Sequence, residues 1–187
     1  MKPELRFETK IMRTGEFGEP ASVPDLGGKG VLQNHLEFSL EEDDEIYEGF
    51  GRRANSYPYP QIQTYRREIR EREMETAVLE NDLLRAVFLP ELGGRLWELT
   101  DKETGRNLLY TNDVIRFSNL AICNAWFSGG VEWNVSLIGH TPFTTRSLYT
   151  ARLTMERGSR CFGCMNMSGS GGSSIRWISG LRKQERR

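Results

Sequence analysis

Residues 76–110 read TAVLENDLLRAVFLPELGGRLWELTDKETGRNLLY, and this run decides the fold class. Two apolar runs, Ala77-Val78-Leu79 and Leu83 to Leu89, flank Glu80-Asn81-Asp82, a polar trio suited to a turn. Pro90 and the pair Gly93-Gly94 then break the chain before Arg95-Leu96-Trp97-Glu98-Leu99, which is apolar except at Arg95 and Glu98. That pattern predicts a mostly buried strand. Asp101-Lys102-Glu103-Thr104-Gly105 predicts a tight reversal, with glycine supplying the positive φ it needs. Asn107 to Tyr110 is expected to return as the partner strand of a β-hairpin. Glu98, Asp101 and Glu103 are expected as solvated hairpin residues.

Downstream the punctuation continues. Leu120-Ala121-Ile122-Cys123 is apolar, and Trp126 to Trp133 encloses Ser128-Gly129-Gly130. Val135 to Ile138 predicts another short strand, ended by Gly139-His140-Thr141-Pro142. Short strands at close spacing, joined by Gly/Pro turns, predict an all-β fold, a sandwich or barrel of antiparallel strands. Strands and helices do not alternate, which disfavours a Rossmann-like sheet, and the Gly pairs match no phosphate loop. Upstream, Tyr65 to Glu75 has too few apolar residues for a helical stripe and is expected as a charged strand or a strand and turn. Tyr47 to Pro60 is loop chemistry, its aromatic residues either pinning the loop to the body or stacking on a sugar face. The acidic run Glu41 to Glu45 predicts a solvated loop, and Val31 to Leu40 a strand. Leu5, Phe7 and Ile11 alternate weakly with charge, as an edge strand would. The expected organisation is N-terminal strands and loops over 1–46, a partial β-sandwich domain over 47–158 and a disordered tail over 159–187.

With 25 basic and 26 acidic residues and a net charge of -1, there is no electrostatic reason to expect nucleic acid or an anionic membrane as partner. No apolar run approaches the ~20 residues of a membrane span. The N-terminal MKPELRFETK lacks the apolar core of a secretory signal, so the expected location is cytoplasmic. Three cysteines make no disulfide framework, and Cys123 reads as a buried thiol. Cys161 and Cys164 form C-x-x-C, half of a zinc site at most, so neither metal nor cofactor is expected.

After Gly158 the strand pattern gives way to Ser, Gly, Arg and Cys. One account is a flexible tail. The other is a change of reading frame between Arg157 and Ser159. Reading each codon one base earlier forces Glu across Met165-Asn166 and Asp across Trp177-Ile178. Permissible codons elsewhere give PVLRMYEYERIRRVVYQMDFWL, rich in aromatic and β-branched residues, as strands prefer. On that account Cys161, Cys164 and Trp177 are accidents of translation, and the native domain would continue past Arg187.

The run LENDLLRAVFLPELGGRLWELTDKETGRNLLYTN, followed by NAWFSGGVEWN, resembles the bacterial domain of unknown function 5107, which often precedes tetratricopeptide repeats. The resemblance spans roughly Tyr47 to Ala151 and is most specific at Leu89 to Arg95 and Ser128 to Asn134. It implies a fold like that of galactose mutarotases, a β-supersandwich that binds sugars in a cleft, here incomplete. The implied function is a carbohydrate-binding or carbohydrate-modifying module, truncated and inactive in this form. The alternative is a non-catalytic protein-interaction module beside helical repeats.

Glu132, between Val131 and Trp133, is a carboxylate among apolar neighbours, which suits an acid or base; the plainer alternative is a structural Glu bonding backbone groups. Mutarotation needs one group to protonate the ring oxygen and another to take the anomeric hydroxyl proton. His140, on an expected turn, would pair with Glu132 in those roles, or would merely cap backbone groups. Arg95 and Asn134 are candidates for hydrogen bonds to sugar hydroxyls. Trp126 or Trp133 would stack on a pyranose face, or lie in the core. His35 lacks such a context.

Overall fold

A computed structural model of the chain describes residues 3–17, 65–120, 124–133, 144–154, 160–167 and 174–180. Its main sheet is built from β1 (Glu4–Phe17), β2 (Tyr65–Glu80), β3 (Leu84–Leu89), β4 (Arg95–Asp101) and β5 (Arg106–Asn107), in that spatial order. Every neighbouring pair in it is antiparallel. Two smaller sheets follow: β6 (Ser118–Leu120) with β7 (Asn124–Trp126), and β8 (Tyr149–Thr154), β9 (Arg160–Met167) and β10 (Ser174–Gly180) in the order β10-β9-β8. The fold is all-β and antiparallel, as the turn-punctuated apolar runs predict.

Local chemistry explains the turns. Asn81 Oδ1 accepts hydrogen bonds from the backbone N–H of Leu83 at 2.9 Å and of Leu84 at 2.8 Å, an Asx turn that fixes the β2–β3 register. A single 3-10 turn, Pro90–Leu92, ends on Gly93 and Gly94, both with positive φ. After β4, Asp101 accepts from the Glu103 N–H and the Thr104 hydroxyl, and those two bonds hold its carboxyl below the usual carboxylate range. β5 is shorter than expected, because the side chain of Asn107 takes over the pairing. Its Oδ1 accepts from Leu99 N and Leu109 N, and after a last backbone bond from Leu108 N to Leu99 O the chain leaves the ladder.

Residues paired across an antiparallel ladder share a face of the sheet. On one face Leu5, Ala77, Leu79, Ala86 and Phe88 form an apolar cluster that also takes in Leu148 and Phe162. On the other face Met12, Met74, Leu89, Leu92 and Trp97 cluster with Ile115 and Phe127. Each apolar run is therefore buried from both sides, which is why Ala86 to Leu89 reads as continuous rather than alternating. The second face is divided along its length. Beyond its core Arg6 pairs with Glu80 at 2.6 Å and also with Glu8, Lys10 pairs with Glu98, and Arg85 reaches Glu8 and Glu98 at 3.5 Å each. Glu98 is thus a member of an ion-pair lattice instead of the solvated residue expected of it. Ile11 falls on the first face, where β1 runs past that cluster, and is exposed, while its neighbour Met12 is buried on the second.

A bulge positions the candidate site. Val87 faces Glu98 and Phe88 faces Leu96, so Trp97 is the extra residue on β4 and turns into the second cluster. Both expected internal boundaries are crossed by paired strands. β1 pairs with β2 across the 46/47 division, and β8 pairs with β9 across the 158/159 division. Residues 65–80 form one strand where a strand and a separate apolar run were expected, because β1 pairs along its length; its buried end runs from Met74 to Leu79 except for Glu75. Within the tail expected to be disordered after Gly158, residues 160–167 and 174–180 form β9 and β10, and Phe162 is only 1% exposed. Its ring lies 5.0 Å from that of Phe88 and 6.3 Å from that of Phe7. Val31 to Leu40, the acidic run at 41–45, Tyr47 to Pro60, Val135 to Ile138 and His35 lie outside the described residues.

Among the described residues no helix is long and apolar enough to cross a membrane. Phe162→Ala is expected to cost about 3–5 kcal/mol, the range for emptying a buried aromatic site. Urea unfolding checks it: an unchanged midpoint would detach β9 from the core.

Candidate functional site

The chain from Trp126 to Trp133 crosses the end of β4 and returns. Val131 makes an isolated antiparallel bridge with Leu96, its N–H donating to Leu96 O at 2.9 Å, and Gly130 N donates to Tyr110 O at 2.8 Å. This close approach requires glycine. A Cβ on Gly130, at φ 66°, would sit 2.4 Å from Leu96 O, and one on Gly129 would meet the Trp97 ring at 2.9 Å. Gly129 and Gly130 thus let the loop press onto β4.

That contact brings Arg95 and Glu132 together. Arg95, the first residue of β4, is 2% exposed, and its guanidinium carbon stands 3.7 Å from the centroid of the Phe127 ring. Nη1 donates to Phe127 O and, at 3.1 Å, to Gly129 O, while Nη2 donates to Glu132 Oε2 at 3.1 Å. Trp126 Nε1 donates to the same carboxylate oxygen at 2.8 Å, and Thr144 Oγ1 donates to Oε1 at 3.1 Å. Guanidinium, indole and hydroxyl thus converge on one carboxylate whose side chain is 13% exposed.

Burial pulls the Arg95 pKa down to about 10, against the opposing pull of Glu132, so the guanidinium stays charged at neutral pH. Arg95 Nε is buried without a hydrogen-bond acceptor, and the π-face of Phe127 offsets part of that cost. Occupied and nearly sealed, Arg95 orients Glu132 and does not itself reach out, unlike the hydroxyl-binding role expected of it. Trp133 likewise turns inward: its Nε1 donates to Gly94 O at 2.8 Å and its ring packs on the first cluster. Trp126 is the half-buried indole beside the carboxylate. Among the described residues, the side chains of Arg95, Trp126 and Thr144 bond to Glu132. Asn134 and His140 lie outside the described residues. Thr144 and Phe127 were missed. Thr144 is twelve positions from its partner, which no local pattern signals, and Phe127 reads as one more core aromatic.

Over residues 52–177 the chain matches the family described as Domain of unknown function (DUF5107). It belongs to that family. The DUF5107 match contains Arg95, Trp126, Glu132 and Thr144, so the network lies wholly within it. Among solved structures, a TPR-domain containing protein from Parabacteroides distasonis ATCC 8503 is similar, with a TM-score of 0.67 and 19% identity. The similarity covers 95% of this DUF5107 chain and 27% of that chain, so the present chain spans about a quarter of its neighbour's length. At that identity the likeness is one of fold.

Removing one member of a buried ion pair strands the other. Arg95→Ala is expected to cost about 3–5 kcal/mol, and the apolar pair Arg95→Met with Glu132→Leu to recover most of it. Urea midpoints of the two variants and the parent check this; equal loss in both would mean the charges do not act as a pair.

Proposed function

We propose that this domain binds carbohydrate beside Trp126 and Glu132, with Arg95 and Thr144 as positioning residues. The supporting observation is the convergence of indole, guanidinium and hydroxyl on the Glu132 carboxylate. A half-buried indole offers an apolar surface to sugar C–H groups, and an adjacent oriented carboxylate accepts from sugar hydroxyls. Asn134 follows Trp133 directly and His140 lies six residues further on, so both are assigned to the same site in this proposal. Turnover of the mutarotase type is its finer form: Glu132 and His140 would share the two proton transfers at the ring oxygen and the anomeric hydroxyl.

Calorimetric titration of the chain with a monosaccharide panel is expected to give binding at millimolar sugar. Trp126→Ala should abolish it with the fold retained, and Trp126→Phe should keep a part. Polarimetry of freshly dissolved galactose reads turnover, which Glu132→Gln and His140→Ala should each remove. Silence across the whole panel would overturn the proposal.

A second reading, an interaction module, is favoured by two apolar side chains that leave the ladder after β5: Leu108 is 54% and Tyr110 73% exposed. Partner binding that survives Glu132→Ala and His140→Ala but not Leu108→Asp would support it. Both readings keep the proposed frame change near Gly158, which sequencing of the coding DNA across that codon tests directly.

A further inference from the structure

A hollow on the main sheet stands apart from the Glu132 network. β1 carries a register irregularity between Thr14 and Glu16, and Gly15 sits at it. The passing segment is locked to this point, Gly15 N donating to Ile115 O and Ile115 N to Arg13 O, both at 2.9 Å. Arg116, Phe117 and Ser118 are thereby held beside the irregularity. Because Gly15 has no side chain, a cavity of about 380 Å³ opens there, facing Tyr65, Arg66, Arg67 and Ile69 of β2. A Cβ on Gly15 would lie 3.4 Å from Arg66 O and 3.8 Å from Ile115 O, so the backbone itself forms the floor.

Among the described residues, Arg66, Arg67 and Arg116 line this cavity and no carboxylate does. Arg66 is partly neutralised by Glu16 at 3.2 Å, a carboxylate it shares with Arg70 at 4.0 Å. Arg67 and Arg116 have no acidic partner among the described residues. Like charges gathered round a concavity raise its potential, and a counter-anion relieves their repulsion. Guanidinium groups present forked donors matched to phosphate and carboxylate oxygens. Tyr65 and Ser118 also line it. Phe117 gives an apolar side held in place by an edge-on contact with Phe127, 5.7 Å between centroids.

We infer that the hollow over Gly15 binds a small oxyanionic molecule, a phosphate or carboxylate on a compact polar body. Its volume lies at the small end of the ~300–1,000 Å³ of ligand pockets, room for a single sugar-sized group. The inference rests on residues separate from Trp126 and Glu132, so either can fail alone.

Calorimetry at low salt on the 187-residue chain tests it, with inorganic phosphate, glucose 1-phosphate and glucuronate as separate probes. Binding of either phosphate-bearing probe assigns a phosphoryl ligand, and binding of glucuronate alone assigns a carboxylate. Arg67→Ala and Arg116→Ala should each weaken the bound probe about tenfold, as loss of a charge-assisted contact does. Gly15→Leu, at a φ outside the left-handed region, should fill the hollow and abolish binding. Arg72→Ala, an exposed β2 arginine outside the cavity, should change nothing, and circular dichroism confirms that each variant folds. No heat with any probe overturns the inference, as does binding that ignores Arg67 and Arg116 and is lost in Trp126→Ala.

Discussion

A positive charge sits inside an apolar cluster, and the middle of the chain is arranged round that fact. Arg95 lies against Phe127 and shares its side of the sheet with Leu89 and Trp97, where water does not reach it. An ion in such a place costs several kcal/mol unless its donors are met and its charge balanced. Two carbonyls from one loop and the Glu132 carboxylate supply that balance. The loop delivers them only because Gly129 and Gly130 let it lie flush on β4. Charge burial, glycine spacing and carboxylate placement are one solution to one problem.

Much of the main sheet was readable from local chemistry. Asn81, Gly93-Gly94 and Asp101 to Gly105 act through side chains and φ values that belong to the residues themselves, so the turns fall where expected. What failed was decided from further away. β2 runs unbroken because β1 pairs along its charged length, which composition cannot show. β5 stops early because a side-chain amide replaces the ladder. The strands after Gly158 form in a segment whose Ser and Gly content argues against them, since ladder pairing uses the backbone and Phe162 supplies an anchor. At the candidate site, Glu132 was visible as a carboxylate among apolar neighbours. Its chief partner Arg95 was visible too, but with the wrong direction, because polarity alone does not say whether an arginine faces solvent or a buried acid.

The split second face of the main sheet links fold to function. Half of it is core and half is an ion-pair lattice, so a single sheet supplies both a rigid floor and a wet, charged surface. Half-buried ion pairs of this kind add only modestly to stability singly. Membership of a family without an assigned activity, together with a fold-level likeness to part of a longer protein, leaves chemistry to be argued from side chains.

Gly130 and Gly105 look alike on paper and live under different rules. At Gly105 a methyl group would meet nothing, so only its φ of 69° resists change, and asparagine tolerates such angles. At Gly130 the neighbouring carbonyl forbids any carbon at all. For this backbone, the first position is expected to tolerate change and the second to refuse it. A glycine pair just upstream of an acidic residue is then the expected fingerprint of the buried charge, recognisable where overall similarity has faded.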